Sequence, residues 1–218
     1  MILPEHEANR LLADAGLPMI PMRVVHSVDE VQKAAASFAC PVVLKLSSAK
    51  HTHKTEIGGV ILNLSTRQDL TSGFGKLQAL RDRLDEEALI ILEPMAEAGA
   101  EFFVGFQSHP QFGPVLSFGL GGVSLELFKD VAFRLLPAGA ADFREMLLEL
   151  KSWPKMRDGF RSLPPVDEEC VIDLLQKTAS FALEHPDVAE LDFNPVIMTA
   201  QGSTIADATV VLNRSRAQ

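Results

Sequence analysis

Apolar positions along the first half of the chain follow two different periods. Apolar residues recur at helical spacing from Ala8 to Ala15 and end at Gly16, which predicts an opening helix. Ser27 and Glu30 form a capping-box pattern, so a second helix is expected after them. A third helix is expected over residues 67–84. Short apolar runs predict strands near residues 22–25, 41–46, 59–64 and 88–93.

The second half begins with strand patterns and continues with longer helical ones. Strands are predicted at residues 101–106, 114–118 and 131–135, helices near 141–151 and 167–184, and two final strands near 189–198 and 204–212. These elements predict an α+β fold in two lobes, residues 1–95 and 96–218. A hinge is expected where residues 93–95 meet residues 97–99.

Composition and charge exclude several classes of protein. The chain has 218 residues, a formal net charge of −9 and 47% hydrophobic residues, which suits one sizeable domain or two small lobes. That acidic balance argues against a nucleic-acid or membrane-surface binder, because such partners require a basic face. Cys40 and Cys170 lie far apart and predict neither a disulfide framework nor a zinc site. The N-terminus is acidic where a signal peptide is basic, so we expect a cytoplasmic protein.

Positive and titratable residues concentrate in one loop of this acidic chain. Lys45 lies in an apolar strand pattern, where a buried ammonium requires an anion, and His53 and Lys54 follow in the loop. Gly58 and Gly59 close the loop, and glycine allows backbone N–H groups to approach phosphate oxygens. These residues can surround a polyphosphate. Alternatively, Lys45 reaches solvent or pairs with a local carboxylate, and the two glycines form an ordinary turn.

A second polar group lies near the C-terminus. Glu190, Asp192 and Asn194 alternate on one face of a predicted strand, and Asp207 lies in the next strand. Oxygen ligands on adjacent strands suit Mg²⁺, which takes one or two protein oxygens and completes its shell with phosphate and water. Acids spaced along a strand otherwise face solvent, and that alternative remains open.

Several blocks together resemble a known family, the ATP-grasp (beta) subunits or domains of NDP-forming acyl-CoA synthetases, which are relatives of succinyl-CoA synthetase. The blocks that carry the resemblance occur in the family's order over essentially the whole chain: PVVLKLSSAKHTHKTEIGGVILNL, HPQFGPVLSFGLGGVSLELFKDVAFRL, GFRSLPPVD, and AELDFNPV with IADA. The resemblance implies the ATP-grasp fold, with ATP or ADP bound between two α+β lobes.

The resemblance also implies individual roles for residues of this chain. It implies that Lys45 contacts nucleotide phosphate and that Glu101 holds the ribose. The segment from Glu93 through Met95 to Ala96 would form the hinge against adenine. Asn194 and Asp207 would ligate Mg²⁺.

The loop resembles the family pattern S-P-D-x-x-H-K-S/T-D-x-G-G-V, whose histidine is thought to carry a phosphoryl group. That position is His53 here, and His51 is expected to be a bystander. A neutral imidazole is a competent nucleophile towards phosphorus, and Lys45, Lys54 and Mg²⁺ would offset the transferred charge. Glu126 lies where the family carries an acid that faces the transfer site. The polar composition of the loop predicts that it is not packed into either lobe.

The predicted activity is interconversion of acyl-CoA, ADP and phosphate with carboxylate, CoA and ATP through a phosphohistidine. No CoA-binding segment fits in the 218 residues, so a CoA-binding alpha subunit or domain is the expected partner and supplies acyl-CoA and phosphate. Neither nucleic acid nor membrane is expected as a partner. Two alternatives remain open: a different ATP-grasp carboxylate ligase that acts through an acyl phosphate without His53, and a non-catalytic nucleotide-sensing domain.

Overall fold

The computed structural model describes residues 1–38, 41–122, 130–161, 163–200 and 202–213. The chain divides into two compact units. The N-terminal unit contains residues 2–9 and 20–96, and the C-terminal unit contains residue 1 and residues 10–19 and 97–218. Residues 10–19 were expected in the first lobe and belong to the C-terminal unit. In the described ranges, no helix is both long enough and apolar enough to cross a bilayer.

The N-terminal unit is built on a four-stranded antiparallel sheet in the order β1-β4-β2-β3. Its strands are β1 (Arg23–Val25), β2 (Val42–Ser47), β3 (Val60–Leu64) and β4 (Leu89–Pro94). Its helices are α2 (Val28–Ser37) and α3 (Arg67–Leu84), and the first residues of α1 (Glu5–Asp14) also belong to it. A core that includes Leu44, Phe74 and Leu77 joins the two helices to the sheet.

Local side-chain hydrogen bonds explain where α2 and α3 begin. The Ser27 hydroxyl accepts the N–H of Glu30 at 3.2 Å, as its capping pattern predicted. The Thr66 hydroxyl accepts the N–H of Asp69 at 3.1 Å, and the Asp69 carboxylate accepts the N–H of Thr66 at 2.9 Å. Each cap satisfies backbone donors that the first helical turn leaves without a partner.

The C-terminal unit is built on a six-stranded antiparallel sheet in the order β10-β8-β5-β6-β7, with β9 also paired to β8. Its strands are β5 (Ala100–His109), β6 (Gly113–Leu120), β7 (Val131–Leu135), β8 (Val188–Thr199), β9 (Gly202–Ile205) and β10 (Ala208–Leu212). Its helices are α4 (Ala140–Glu149), α5 (Trp153–Asp158) and α6 (Glu168–Glu184). Helix α6 contacts β6 and β9. The α+β prediction is confirmed.

The structure differs from the predicted elements mainly near the C-terminus. The predicted single strand over 204–212 is wrong, because the chain leaves the strand at Ala206 and Asp207 and forms β9 and β10. Opposite this break lies Pro195, which has no N–H to donate to a neighbouring strand. The short helix α5 was not predicted; its Trp153 is 1% exposed and lies in the core.

Two backbone hydrogen bonds in the C-terminal unit bring residues distant in sequence together. The Met1 amino group donates to the carbonyl of Leu212 at 2.6 Å, and the Leu212 N–H donates to the carbonyl of Met1 at 2.7 Å. Residue 1 therefore lies against the end of β10.

Candidate functional site

Lys45 lies in β2, whose six residues are all buried. Its side chain is only 9% exposed, and its Nζ lies 2.9 Å from Glu5 Oε1 and 2.8 Å from Glu93 Oε2. A buried ammonium without an anion would be costly, so the two carboxylates explain why the strand tolerates a lysine. The carboxylate-pairing alternative for Lys45 is therefore realised. Its contact with nucleotide phosphate stays a prediction.

Glu5 extends this arrangement to the loop lysine. Its second oxygen, Oε2, lies 2.9 Å from the Nζ of Lys54, whose side chain is 7% exposed. Burial raises the pKa of Glu5, but the ammonium groups of Lys45 and Lys54 outweigh burial and hold that pKa below its ordinary value. Lys54, Glu5, Lys45 and Glu93 thus form a buried charge chain whose formal charges cancel. Glu5 was not among the residues predicted for this site.

The His53 loop, residues 48–59, is anchored at its start as well. The Ser48 hydroxyl donates to Asp85 Oδ2 at 2.6 Å and accepts the N–H groups of Lys50 and His51. Lys50 Nζ donates to Asp85 Oδ1 at 2.8 Å. Because hydrogen bonds from Lys50 and Ser48 stabilise its charged form, the pKa of Asp85 is lowered. The prediction of an unpacked loop is wrong at Ser48 and Lys54, both of which are buried.

Gly58 and Gly59 close the loop through contacts within it. Gly58 has a φ of +73°, a conformation that glycine adopts without strain, and its N–H donates to Thr55 at 3.1 Å. The Gly59 N–H donates to the Lys54 carbonyl at 2.7 Å, and a Cβ at residue 59 would lie 3.0 Å from that oxygen. Both N–H groups that the sequence assigned to phosphate are therefore engaged inside the loop. Their contact with nucleotide stays a prediction.

His53 has a different environment from its neighbour Lys54. The His53 residue is exposed, whereas Lys54 is buried and paired with Glu5. The backbone around His53 is tied into the turn, because Lys54 N–H donates to Thr52 at 2.9 Å and Glu56 N–H donates to His53 at 3.2 Å. The loop therefore presents an accessible imidazole from an anchored backbone. His51 is half-buried.

Three predicted site residues of the C-terminal unit are linked by contacts at Gly122 and Asn194. The Gly122 N–H donates to Asn194 Oδ1 at 3.2 Å, and the Asn194 N–H donates to the Asp207 carbonyl at 3.1 Å. Gly122 has a φ of +60°, and a Cβ there would collide with the Glu101 carboxylate. Gly122 therefore lies beside both Glu101 and Asn194, and Asp207 joins them only through the backbone of Asn194; the roles of the three residues stay predictions.

The oxygens of Asn194 and Asp207 fit the chemistry that Mg²⁺ requires. The amide oxygen of Asn194 accepts one hydrogen bond from Gly122, which leaves its second lone pair. Within the described ranges, no group of three or more His, Cys, Asp or Glu residues can hold a metal ion. Two oxygen ligands, as the sequence predicts, would suit a cation that keeps water and phosphate in its shell, such as Mg²⁺. Glu190 and Asp192, which precede Asn194 on the same strand, are exposed.

The remaining predicted residues are placed as follows. Met95 and Ala96 are half-buried after β4, and the Met95 N–H donates to Pro41 at 2.9 Å. Glu93, the start of the predicted hinge, is 1% exposed and lies in the buried charge chain. Glu126 lies outside the described residues.

The chain is similar to known proteins over nearly its whole length. Residues 1–212 match the family described as ATP-grasp domain. The chain is 34% identical over 213 residues to the acetate–CoA ligase (ADP-forming) I subunit beta of Pyrococcus furiosus, covering 96% of this chain and 91% of that protein. It is 35% identical over 208 residues to the acetate–CoA ligase (ADP-forming) I of Archaeoglobus fulgidus. That match covers 94% of this chain and 30% of the length of the Archaeoglobus relative.

Solved structures of the dinucleotide-forming acetyl-coenzyme A synthetase 1 of Ca. Korarchaeum cryptofilum share the fold. The complex with coenzyme A and Ca-AMPCP matches with a TM-score of 0.90 and 34% identity, covering 97% of this chain and 93% of that chain. A complex with coenzyme A and Mg-AMPPCP, whose phosphohistidine segment points towards the nucleotide binding site, matches with a TM-score of 0.84 and 34% identity over the same shares. The chain therefore belongs to the ATP-grasp domain family and, within it, to the beta subunits and domains of the ADP-forming acetate–CoA ligases.

Proposed function

We propose that the chain is the ATP-grasp component of an ADP-forming acyl-CoA synthetase and that it transfers a phosphoryl group between His53 and ADP or ATP. The observation that carries the proposal is the accessible His53 imidazole on an anchored loop, beside a buried lysine. The phosphohistidine segment of the Korarchaeum synthetase supports a histidine intermediate in this family.

The proposed step exchanges one bond to phosphorus for another. One neutral ring nitrogen of His53 attacks the γ-phosphorus of ATP, and the bond from that phosphorus to the bridging oxygen breaks, so that ADP leaves. The other ring nitrogen keeps its proton. In the opposite direction, an ADP oxygen attacks phosphohistidine and releases the neutral imidazole. A nucleophile on an anchored backbone loses little orientational freedom on the way to the transition state.

In this proposal, the N-terminal unit and the C-terminal unit each contribute residues that bind the nucleotide. Lys45 would contact phosphate, Glu101 the ribose, and the segment from Glu93 to Ala96 the adenine. Asn194 and Asp207 would hold Mg²⁺, which would neutralise charge on the transferring group when bound. Since Glu5 and Glu93 already balance the two lysines, the buried charge chain contributes less net positive charge than two free lysines would.

Binding of ADP should depend on metal through Asp207. We expect Asp207→Asn to weaken Mg·ADP binding by at least about tenfold, because it removes an anionic ligand while preserving side-chain volume. Titration calorimetry with ADP, with and without Mg²⁺, measures this loss, and chelation should remove most of the difference between wild type and variant. Glu190→Gln is the matched control, because Glu190 is an exposed acid on β8 near Asn194. Equal losses in both variants would contradict the assignment, and no ADP binding at millimolar concentration would contradict the proposed function.

A CoA-binding partner would dock on an apolar face of the C-terminal sheet. Phe112, Phe133 and Leu135 are 63%, 61% and 57% exposed, and they line a groove of about 720 Å³. Phe112 is held in place, because its N–H donates to His109 Nδ1 and its ring stacks on the His109 ring at 4.8 Å. Large exposed apolar patches mark interaction sites.

The charges around this groove indicate what kind of partner fits it. The carboxylates of Glu190 and Asp192 border the apolar side chains. A second copy of this chain would place like charges together across a two-fold axis. We therefore assign the groove to a partner subunit that presents apolar side chains flanked by lysine or arginine.

Disrupting the groove should weaken the complex without affecting nucleotide binding. We expect Phe133→Asp to reduce affinity for the cognate CoA-binding subunit by at least about tenfold, because a charge replaces a buried aromatic contact in the complex. Interferometry with the purified subunit measures this, and ADP calorimetry should be unchanged. Leu148→Asp is the control, since Leu148 is 71% exposed on α4, outside the residues that line the groove. A wild-type dimer that Phe133→Asp dissociates would instead assign the groove to a second copy.

A further inference from the structure

Glu5 joins the strand that carries Lys45 to the loop that carries His53. Each of its carboxylate oxygens contacts a different lysine: Oε1 lies 2.9 Å from Lys45 Nζ and Oε2 lies 2.9 Å from Lys54 Nζ. Its side chain is 5% exposed. Glu5 is also the first residue of α1, where the backbone N–H groups and the helix dipole favour a carboxylate. The start of α1 therefore fixes an anion between the two lysines.

We propose that Glu5 is a positioning residue for phosphoryl transfer, an inference that rests on the proposed function. One oxygen orients the Lys45 ammonium for nucleotide phosphate. The other holds Lys54 in the buried charge chain and thereby fixes the backbone of the adjacent His53. A single carboxylate thus sets the geometry of both the phosphate-binding lysine and the nucleophile.

The same carboxylate has opposite effects on binding and on transfer. Two lysines and two glutamates give the buried charge chain no formal net charge. An incoming phosphate is therefore attracted less strongly than it would be without Glu5, because Glu5 and phosphate compete for the same ammonium. A fixed loop holds the His53 imidazole in the orientation for attack on phosphorus in a larger fraction of the molecules. Glu5 therefore reduces affinity for nucleotide and increases the rate of transfer.

Glu5→Gln tests this proposal, since it keeps the side-chain shape and removes the charge. The amide that replaces the carboxylate has one acceptor oxygen and one donor nitrogen, so it cannot satisfy both ammonium groups. We expect ADP to bind about fivefold more tightly, because the buried charge chain gains one net positive charge. The kcat of the complex with the CoA-binding subunit should fall about tenfold, because His53 is less well positioned. In nucleotide-free protein, amide hydrogens of residues 54–59 should exchange faster.

Lys54→Met provides the reciprocal change. It also releases the loop, so hydrogen exchange of residues 54–59 should rise and kcat should fall. The remaining members of the buried charge chain then carry one net negative charge, so ADP should bind more weakly. The double variant restores neutrality, so its ADP affinity should return close to the wild-type value while kcat stays low. A double variant that still binds ADP weakly would show that Lys54 itself contacts phosphate and would overturn the positioning role. If Glu5→Gln fails to fold, hydrogen exchange in Lys54→Met still tests the link from Glu5 to the loop, and wild-type exchange of residues 54–59 in that variant would overturn the proposal.

Glu7→Gln is the matched control. Glu7 lies in the same helical turn, its side chain is 49% exposed, and its nearest ion pair is with His6 at 3.9 Å. It should leave ADP affinity, exchange and kcat unchanged. Wild-type exchange rates in Glu5→Gln, or parallel losses of affinity and kcat, would overturn the proposal. The exchange measurement uses no nucleotide, so it tests the link from Glu5 to the loop even if the wild type fails to bind ADP and the proposed function fails.

Discussion

His53→Ala should abolish phosphorylation of the chain and reduce turnover of the reconstituted complex by about a thousandfold or more, because it removes the group that forms the covalent intermediate. Incubation of the wild type with γ-labelled ATP and Mg²⁺ should give an acid-labile, base-stable label. Calorimetry with ADP should give the wild-type affinity within about twofold, since an exposed side chain outside the phosphate and metal contacts contributes little to binding. Label retention, steady-state rate and ADP affinity are the three measurements.

The control for this experiment is His51→Ala, two residues earlier in the same loop. His51 is half-buried, and its N–H donates to Ser48 Oγ at 3.3 Å through the backbone, which the substitution preserves. Most of the label and turnover should therefore remain. Separation of the two subunits by electrophoresis shows which one carries the label. Label on the partner alone, or normal turnover by His53→Ala, would contradict the assignment of the phosphoryl carrier to this chain. ADP binding without label or turnover in the reconstituted wild type would favour a sensor.

Lys45→Met should strongly destabilise the fold, because the Lys45 ammonium is buried between two carboxylates. It removes the ammonium that lies 2.9 Å from Glu5 Oε1 and 2.8 Å from Glu93 Oε2. Removal of one partner from a buried ion pair costs about 3–5 kcal/mol, because an uncompensated charge stays buried. Urea unfolding followed by circular dichroism measures this loss. Lys50→Met is the control, since its side chain is 59% exposed and the loss should be far smaller.

The difference in unfolding free energy between the wild type and Lys45→Met should depend on pH through the pKa of Glu5. In the wild type that pKa is lowered in the folded state, so the stability it contributes is present above the ordinary value of 4.5 and is lost as the pH falls through the folded value. Lys45→Met removes one of the two ammonium groups that lower it. The gap in unfolding free energy between wild type and variant should therefore be widest near neutral pH and narrow towards pH values of about 3. A gap that is equal at both pH values would show that Lys45 contributes mainly through packing.

Features that depend on short-range contacts could be predicted from the sequence. The Ser27 cap involves only Glu30, three residues later, and β2 pairs with β3 across a single loop. The local sequence patterns were therefore sufficient to predict both features. The α+β class and the ATP-grasp family followed from several blocks in order and are confirmed. The short helix α5 was missed because six residues are too few to show a helical period.

Features that depend on distant contacts could not be predicted in the same way. Glu5 and Lys45 are 40 residues apart, and no local pattern indicates that a glutamate in an amphipathic helix faces a lysine in a strand. The break at Asp207 depends on pairing with Asn194 across two strands. The sequence did contain one usable signal, because a lysine in an otherwise apolar strand requires an anion. A search for that anion among the acidic residues would have included Glu5.

The contact between Met1 and Leu212 bears on how genes for such proteins can be joined or split. Residues 1 and 212 exchange backbone hydrogen bonds at one place on the C-terminal unit. A linker attached before residue 1 or after residue 212 would therefore deliver a neighbouring domain to the same region of the surface. The Pyrococcus relative is a subunit of similar length, whereas the Archaeoglobus relative is a much longer single chain. A segment joined before residue 1 or after residue 212 would therefore leave from one region of the C-terminal unit, whichever of the two carries it.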